Sequence, residues 1–159
     1  MYQSILVPVD GSDYSLKALK IASQLANSHE ATIYILNVPE LPPASDPLGM
    51  AAGASNMYVS TAEIEATGER LVEQLKDAEE SGKTLIERLK SAVGISHATI
   101  EPIVQMGAPA KVIVEEADRL GVEAIVMGSR GMSDLKSLAV GSTSHKVMHT
   151  ANCTVITVH

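Results

Sequence analysis

The sequence predicts an open α/β domain, a parallel sheet with helices on both faces. Three observations point there. Five short apolar runs recur along the chain, bounded by turn residues and separated by apolar positions at helical spacing. Such alternation carries each strand to the next through a crossover helix, which makes the sheet parallel. Glycines then gather near the C-terminus where a strand gives way to a helix, the place at which such sheets take their ligands.

The first run, Ile5-Leu6-Val7-Pro8-Val9, reads as a buried strand. Pro8 lacks a ladder donor, so it suits only the very end of a central strand. Asp10-Gly11-Ser12-Asp13 is turn and capping chemistry. Leu16, Leu19, Ala22, Leu25 and Ala26 follow at helical spacing. Residues 31–38 form the second strand. From 39 to 59 the chain is rich in Pro, Ala, Gly and Ser and shows no period. A loop this long is expected to be either a lid over a ligand or disordered surface. Ser60 and Glu63 have the spacing of a capping box for the next helix. That helix has an apolar stripe of Leu71, Leu75, Ala78, Leu85, Leu89 and Val93. Its charge run, Glu69 to Glu80 with Asp77 among them, is expected to face solvent. Residues 98–105 are the third strand. Pro109 opens a helix that carries Val112, Ile113 and Ala117 to about Leu120, with Gly121 as its cap. Residues 123–127, 142–150 and 153–158 complete the pattern as strand, helix and strand. One domain spans residues 1–159.

Composition excludes several functions. The formal charge of −7 argues against nucleic acid and anionic membrane as partners. The absence of Phe and Trp removes the usual stacking platforms for single-stranded nucleic acid. No apolar run is long enough to span a bilayer. The single cysteine, Cys153, fits a reducing compartment and reads as a buried small hydrophobe. The N-terminus enters a strand at once, without signal-peptide character. The expected address is cytoplasmic.

Familiar catalytic motifs are missing. There is no P-loop, no Gly-x-Gly-x-x-Gly after the first strand and no Gly-x-Ser-x-Gly elbow. His145 and His149 have a metal-capable spacing, but no third ligand lies near them in sequence, so no metal site is expected. No nucleophile is paired with a base. What remains is a phosphate cradle and one acid. The cradle reads Met127-Gly128-Ser129-Arg130-Gly131, then nine residues, then Gly141-Ser142-Thr143-Ser144. Glycine lets a backbone approach phosphate, and a helix N-terminus offers free N–H groups and partial positive charge. Valine at Gly128 or Gly141 is therefore expected to block phosphate and spare the fold. Arg130 either pairs with phosphate oxygens or is a solvated loop arginine. Asp10, ending the first strand, either caps the first helix or accepts from a ribose hydroxyl or an adenine amine. Ser12 and Asp13 can already cap, which favours the ligand. Val38 is placed to pack on a flat base.

These residues resemble the universal stress proteins of the nucleotide-binding type. That family is marked by Gly-x2-Gly-x9-Gly-Ser/Thr, and Gly128, Gly131, Gly141 and Ser142 match it without a gap. The chain's opening residues, 5–12, and its closing strand, 153–158, are similar too, so the resemblance covers nearly the whole chain. It implies a five-stranded parallel sheet of order 3-2-1-4-5, ATP at the strand C-termini, and a homodimer formed through the last strand. Carried over by position, Pro8, Val9 and Asp10 touch adenosine, while Val38 and Met127 line the adenine pocket. Gly128, Ser129, Arg130, Gly131, Met132 and Ser133 wrap ribose and phosphates. Gly141, Ser142, Thr143 and Ser144 hold phosphates by N–H and hydroxyl groups, and one hydroxyl is a candidate Mg²⁺ ligand. Asn37 stands where many members carry histidine. The implied function is nucleotide-dependent regulation in a stress response. No general base is evident, so ATP hydrolysis is expected to be weak at most. The intact motif weighs against a dimeric scaffold with a vestigial site.

Overall fold

The computed structural model describes residues 2–26, 30–39, 61–132 and 141–159. In chain order they form β1 (Ser4–Val9), α1 (Asp13–Leu25), β2 (Thr32–Asn37), α2 (Thr61–Val93), β3 (Thr99–Val104), α3 (Pro109–Leu120), β4 (Ala124–Gly128), α4 (Ser142–Thr150) and β5 (Thr154–Val158). The sheet is parallel throughout, with order β3-β2-β1-β4-β5. The strand and helix pattern of the sequence is thus reproduced, with strand ends moved by a residue or so. The segment 40–60, including the capping serine at 60, lies outside the described residues.

Burial follows position in the sheet. β4 is buried at every residue, while the edge strands β3 and β5 are largely exposed or half-buried. β1 pairs along its whole length with β2, from Ser4↔Thr32 to Val9↔Asn37. Its register with β4 comprises only Ile5↔Ala124 and Leu6↔Ile125. Pro8 therefore sits past the end of the β1–β4 ladder, which is how a central strand accommodates a proline.

Side chains alternate between the two faces of the sheet. One face sends Ile5, Val7, Ile33, Ile35 and Val126 against Ala18, Leu19 and Ala22 of α1 and Ile86 and Leu89 of α2. The other sends Leu6, Leu36, Ile125 and Met127 against α3 and α4, through residues such as Ile113 and Val147. α1 is capped by Ser12, whose Oγ accepts the Ser15 N–H at 3.1 Å. α3 starts with Pro109 and stops at Gly121, which takes the left-handed conformation at φ 61°.

α2 has 33 residues, roughly 50 Å of helix at 1.5 Å per residue. A strand of six residues is less than half as long. Only the C-terminal half of α2 can therefore lie on the sheet. There Gly82, Ile86 and Leu89 are buried, whereas Leu71 and Val72 in the other half are exposed.

Candidate functional site

β1 and β4 are the neighbours between which the strand order reverses, so their connections leave in opposite directions and open a crevice above their carboxyl ends. A cavity of about 600 Å³ occupies it. β1 contributes Pro8 and Val9, followed by Asp10, and Val38 closes the end of β2. β4 and its following loop supply Met127, Gly128, Arg130, Gly131 and Met132, and α4 supplies Ser142, Thr143 and Ser144. These residues, far apart in sequence, meet because every strand C-terminus lies on the same edge of a parallel sheet.

Ser129 of the glycine motif stands behind the wall, fully buried. Its N–H donates to the Val158 carbonyl at 2.8 Å, and its carbonyl accepts the Gly141 N–H at 2.7 Å. Ser129 thus ties both halves of the motif to β5. Ser133 lies outside the described residues.

α4 meets the cavity with its N-terminus. Gly141 is its N-cap, in extended conformation and with no side-chain cap. The N–H groups of the first turn have no intrahelical partners and carry the positive end of the helix dipole. The Ser144 hydroxyl donates to the Gly128 carbonyl at 2.8 Å, in a buried position. It was expected to donate to phosphate; here that proton is engaged by the strand end, leaving the backbone N–H of Ser144.

Gly128 has a packing reason to be small besides the one expected. A Cβ there would lie 2.6 Å from Tyr14 Cβ and 3.1 Å from both the Tyr14 carbonyl carbon and the Arg130 oxygen. The end of β4 thus packs directly on the backbone of α1. Valine at Gly128 cannot spare the fold, which corrects the expectation drawn from the motif.

Asp10 lines the cavity and does not cap α1, a role that falls to Ser12. Its Oδ1 accepts the Ser12 N–H at 3.0 Å, and its Oδ2 accepts the Met132 N–H at 2.8 Å. Arg130 is half-buried, and its guanidinium carbon lies 6.0 Å from the centre of the Tyr14 ring. The Arg130 Nε is buried and finds no partner among the described residues. Arg130 is the one basic residue among those described around the cavity, and Asp10 and Asp77 are its acids.

The sequence reading missed one wall. Gln74, Asp77, Ala78, Ser81, Gly82 and Leu85 of α2 line the cavity, with Asn37, Pro109 and Ile113. Gly82 was the available signal. A glycine inside a helix costs about 1 kcal/mol relative to alanine, so it needs a packing reason. That reason is contact: a Cβ at Gly82 would lie 2.6 Å from Asn37 Oδ1 and 2.9 Å from Val104 Cγ1.

Away from the crevice, the His145 and His149 rings lie 4.5 Å apart on exposed positions of α4. Among the described residues no group of three or more His, Cys, Asp or Glu could hold a metal ion. None of the described helices is long and apolar enough to cross a membrane. Cys153 is half-buried, and burial followed by the nearby Asp118 carboxylate pushes its thiol pKa up.

Sheet order and crevice together define a doubly wound α/β domain with a ligand-sized cleft at its switch point. The universal stress protein family model matches residues 1–159, and the chain belongs to that family. It is 33% identical over 161 residues to Universal stress protein YxiE of Bacillus subtilis (strain 168), with 99% of each chain covered. Among solved structures it is similar to MJ0577, which is a universal stress protein of Methanocaldococcus jannaschii. The TM-score is 0.75 at 26% identity, covering 99% of this chain and 96% of that one. It is also similar to a universal stress protein in complex with cAMP, with a TM-score of 0.56 at 25% identity, covering 99% and 97%.

Proposed function

We propose that this chain binds ATP and holds it as a cytoplasmic, nucleotide-dependent regulatory protein, without turning it over at enzyme-like rates. One observation carries the reading: the uncapped N-terminus of α4 faces a cavity of about 600 Å³ beside Arg130, the cavity's described cation. That volume falls in the range of roughly 300–1,000 Å³ usual for small-molecule sites. Phosphates sit at residues 128–133 and 141–144, and adenosine lies toward Pro8, Val9, Val38 and Met127. The hydroxyl of Ser142 or Thr143 is a candidate ligand for an accompanying Mg²⁺. The cAMP complex of a related protein supports an adenine nucleotide.

Slow turnover follows from what surrounds the phosphates. Efficient phosphoryl transfer needs concentrated positive charge and an oriented nucleophile. Asp10 is the acid nearest the cradle, and both its oxygens already accept backbone N–H groups. We assign the chain a homodimer through β5. That strand is a sheet edge with half-buried Val155, Ile156 and Val158, and two-fold pairing would remove the exposed edge. Light scattering that finds only monomer at micromolar concentration would refute the dimer.

Thr143→Glu tests the nucleotide site. A carboxylate in the first turn of α4 suits the helix dipole and occupies the phosphate position. Calorimetry should show ATP affinity lowered by at least about tenfold, roughly 1.4 kcal/mol, in a protein that melts no earlier. Unchanged affinity would move the phosphates elsewhere.

A further inference from the structure

α4 carries a group of metal-capable side chains that the crevice does not use. Its buried residues are Ser144 and Val147. His145, Met148 and His149 lie on its exposed side. Their spacing of i, i+3 and i+4 gathers the three on one patch, with His145 one turn before the other two. None of them lines the cavity. The two imidazole rings stand 4.5 Å apart, centre to centre, tilted by 60°. Two imidazoles bound to one ion through bonds of about 2.1 Å, at a right or tetrahedral angle, hold their ring centres roughly 4.5–5 Å apart. The helix therefore presents both rings at chelating distance with no movement of its backbone. Met148 is 39% exposed, and its unbranched side chain has the reach and freedom to bring a thioether to the same ion. The expectation that no metal binds rested on a third His, Cys, Asp or Glu, and among the described residues none completes such a group. The third donor on this patch is of another kind.

We infer that His145, Met148 and His149 form a binding site for copper(I). Donor softness decides the ion. Imidazole suits zinc, nickel and copper alike, whereas a thioether selects copper(I). A hard cation such as Mg²⁺ takes oxygen ligands, so the metal that accompanies a nucleotide does not compete here. Copper(I) has a closed shell and accepts three ligands, so no fourth protein group is required. The surroundings favour a cation. The chain has a formal charge of −7, and His149 stands in the last turn of α4, at the negative end of the helix dipole. Lys146, exposed on the same helix, opposes the ion with one charge that solvent and salt screen.

Anaerobic titration of the isotope-labelled protein with copper(I), followed by its His ring and Met methyl resonances, tests this. The ring signals of His145 and His149 and the Met148 methyl should move together and saturate at one ion per chain. His145→Ala and His149→Ala should each weaken copper(I) binding at least about tenfold, because each removes one of three ligands. Met148→Leu should weaken copper(I) at least about fivefold and leave Zn²⁺ affinity within about twofold, because zinc does not use the thioether. Cys153→Ala should leave copper(I) affinity unchanged. The three ligand positions are exposed and each replacement is a good helix former, so the variants keep the fold, which circular dichroism checks. Imidazole shifts with a stationary Met148 methyl would overturn the assignment, leaving a two-histidine chelate with no preference for copper(I). Shifts confined to other methionines, copper binding lost in Cys153→Ala, or no saturable shift would overturn it as well.

Discussion

The Asp10 carboxylate accepts the Met132 backbone N–H at 2.8 Å and so fastens the turn after β1 to the loop after β4. Its second oxygen holds the Ser12 N–H in the manner of an Asx turn. The Met132 side chain itself is 72% exposed, so the loop is held here by its backbone. One acid thus braces the two segments that form the rim of the crevice. Asp10→Ala should release the rim, weaken ATP binding by about tenfold or more, and lower stability by about 1 kcal/mol. Calorimetry and thermal melting read the two effects separately. Unchanged ATP affinity would mean that the rim needs no brace.

Gly128 and Thr143 separate packing from binding. Gly128→Ala forces a Cβ against the Tyr14 backbone and should cost about 1–3 kcal/mol in urea unfolding. Thr143→Glu should leave stability unchanged or raise it by about 0.3–1 kcal/mol. A Gly128→Ala protein as stable as the parent would contradict the close contact of β4 with α1.

Two glycines of α2 should respond with opposite sign. Nothing lies within 4 Å of a Cβ built at Gly68, so Gly68→Ala should stabilise by about 0.5–1 kcal/mol. Gly82→Ala gains the same helix propensity but drives a methyl into Asn37 Oδ1 and Val104, and should destabilise. Denaturant midpoints of the two variants check the pair. Stabilisation by both would remove the packing reason for Gly82.

Cys153 gives the pH dependence a sign. Burial, then the Asp118 carboxylate, raises its pKa, so the folded state prefers the neutral thiol. The associated stability is complete below the unfolded pKa of about 8.5 and declines as pH rises through the folded value. Alkylation by iodoacetamide should accordingly be slower than for free cysteine near pH 8.5, and Cys153→Ala should lose less stability above that pH than the parent. Alkylation as fast as that of free cysteine would contradict the shift.

Much of this was legible in the sequence because it depends on local pattern. Apolar runs marked the strands, and the spacing of Gly128, Gly131, Gly141 and Ser142 marked the strand-to-helix junction. The α2 wall was not legible. A 3.6-residue period says which residues share a helix face, but not where a helix of 33 residues crosses a sheet. Asp77 therefore read as part of a solvated charge run, although it borders the cavity, and Leu71 read as part of the apolar stripe, although it is exposed. Gly128 was legible as part of the motif, but its contact with Tyr14 was not, because that is a tertiary fact. Asp10 was singled out as an acid beside the ligand, but its bond to a loop 122 residues away has no local trace.

The most direct test of the account is an ATP titration of ¹⁵N-labelled protein followed by backbone amide resonances. Saturable shifts should cluster at Val9 and Asp10, at Asn37 and Val38, at residues 128–132 and at residues 142–144, with the largest at the N-terminus of α4. Shifts confined to other surfaces, or none at millimolar ATP, would contradict a nucleotide site at the sheet's switch point.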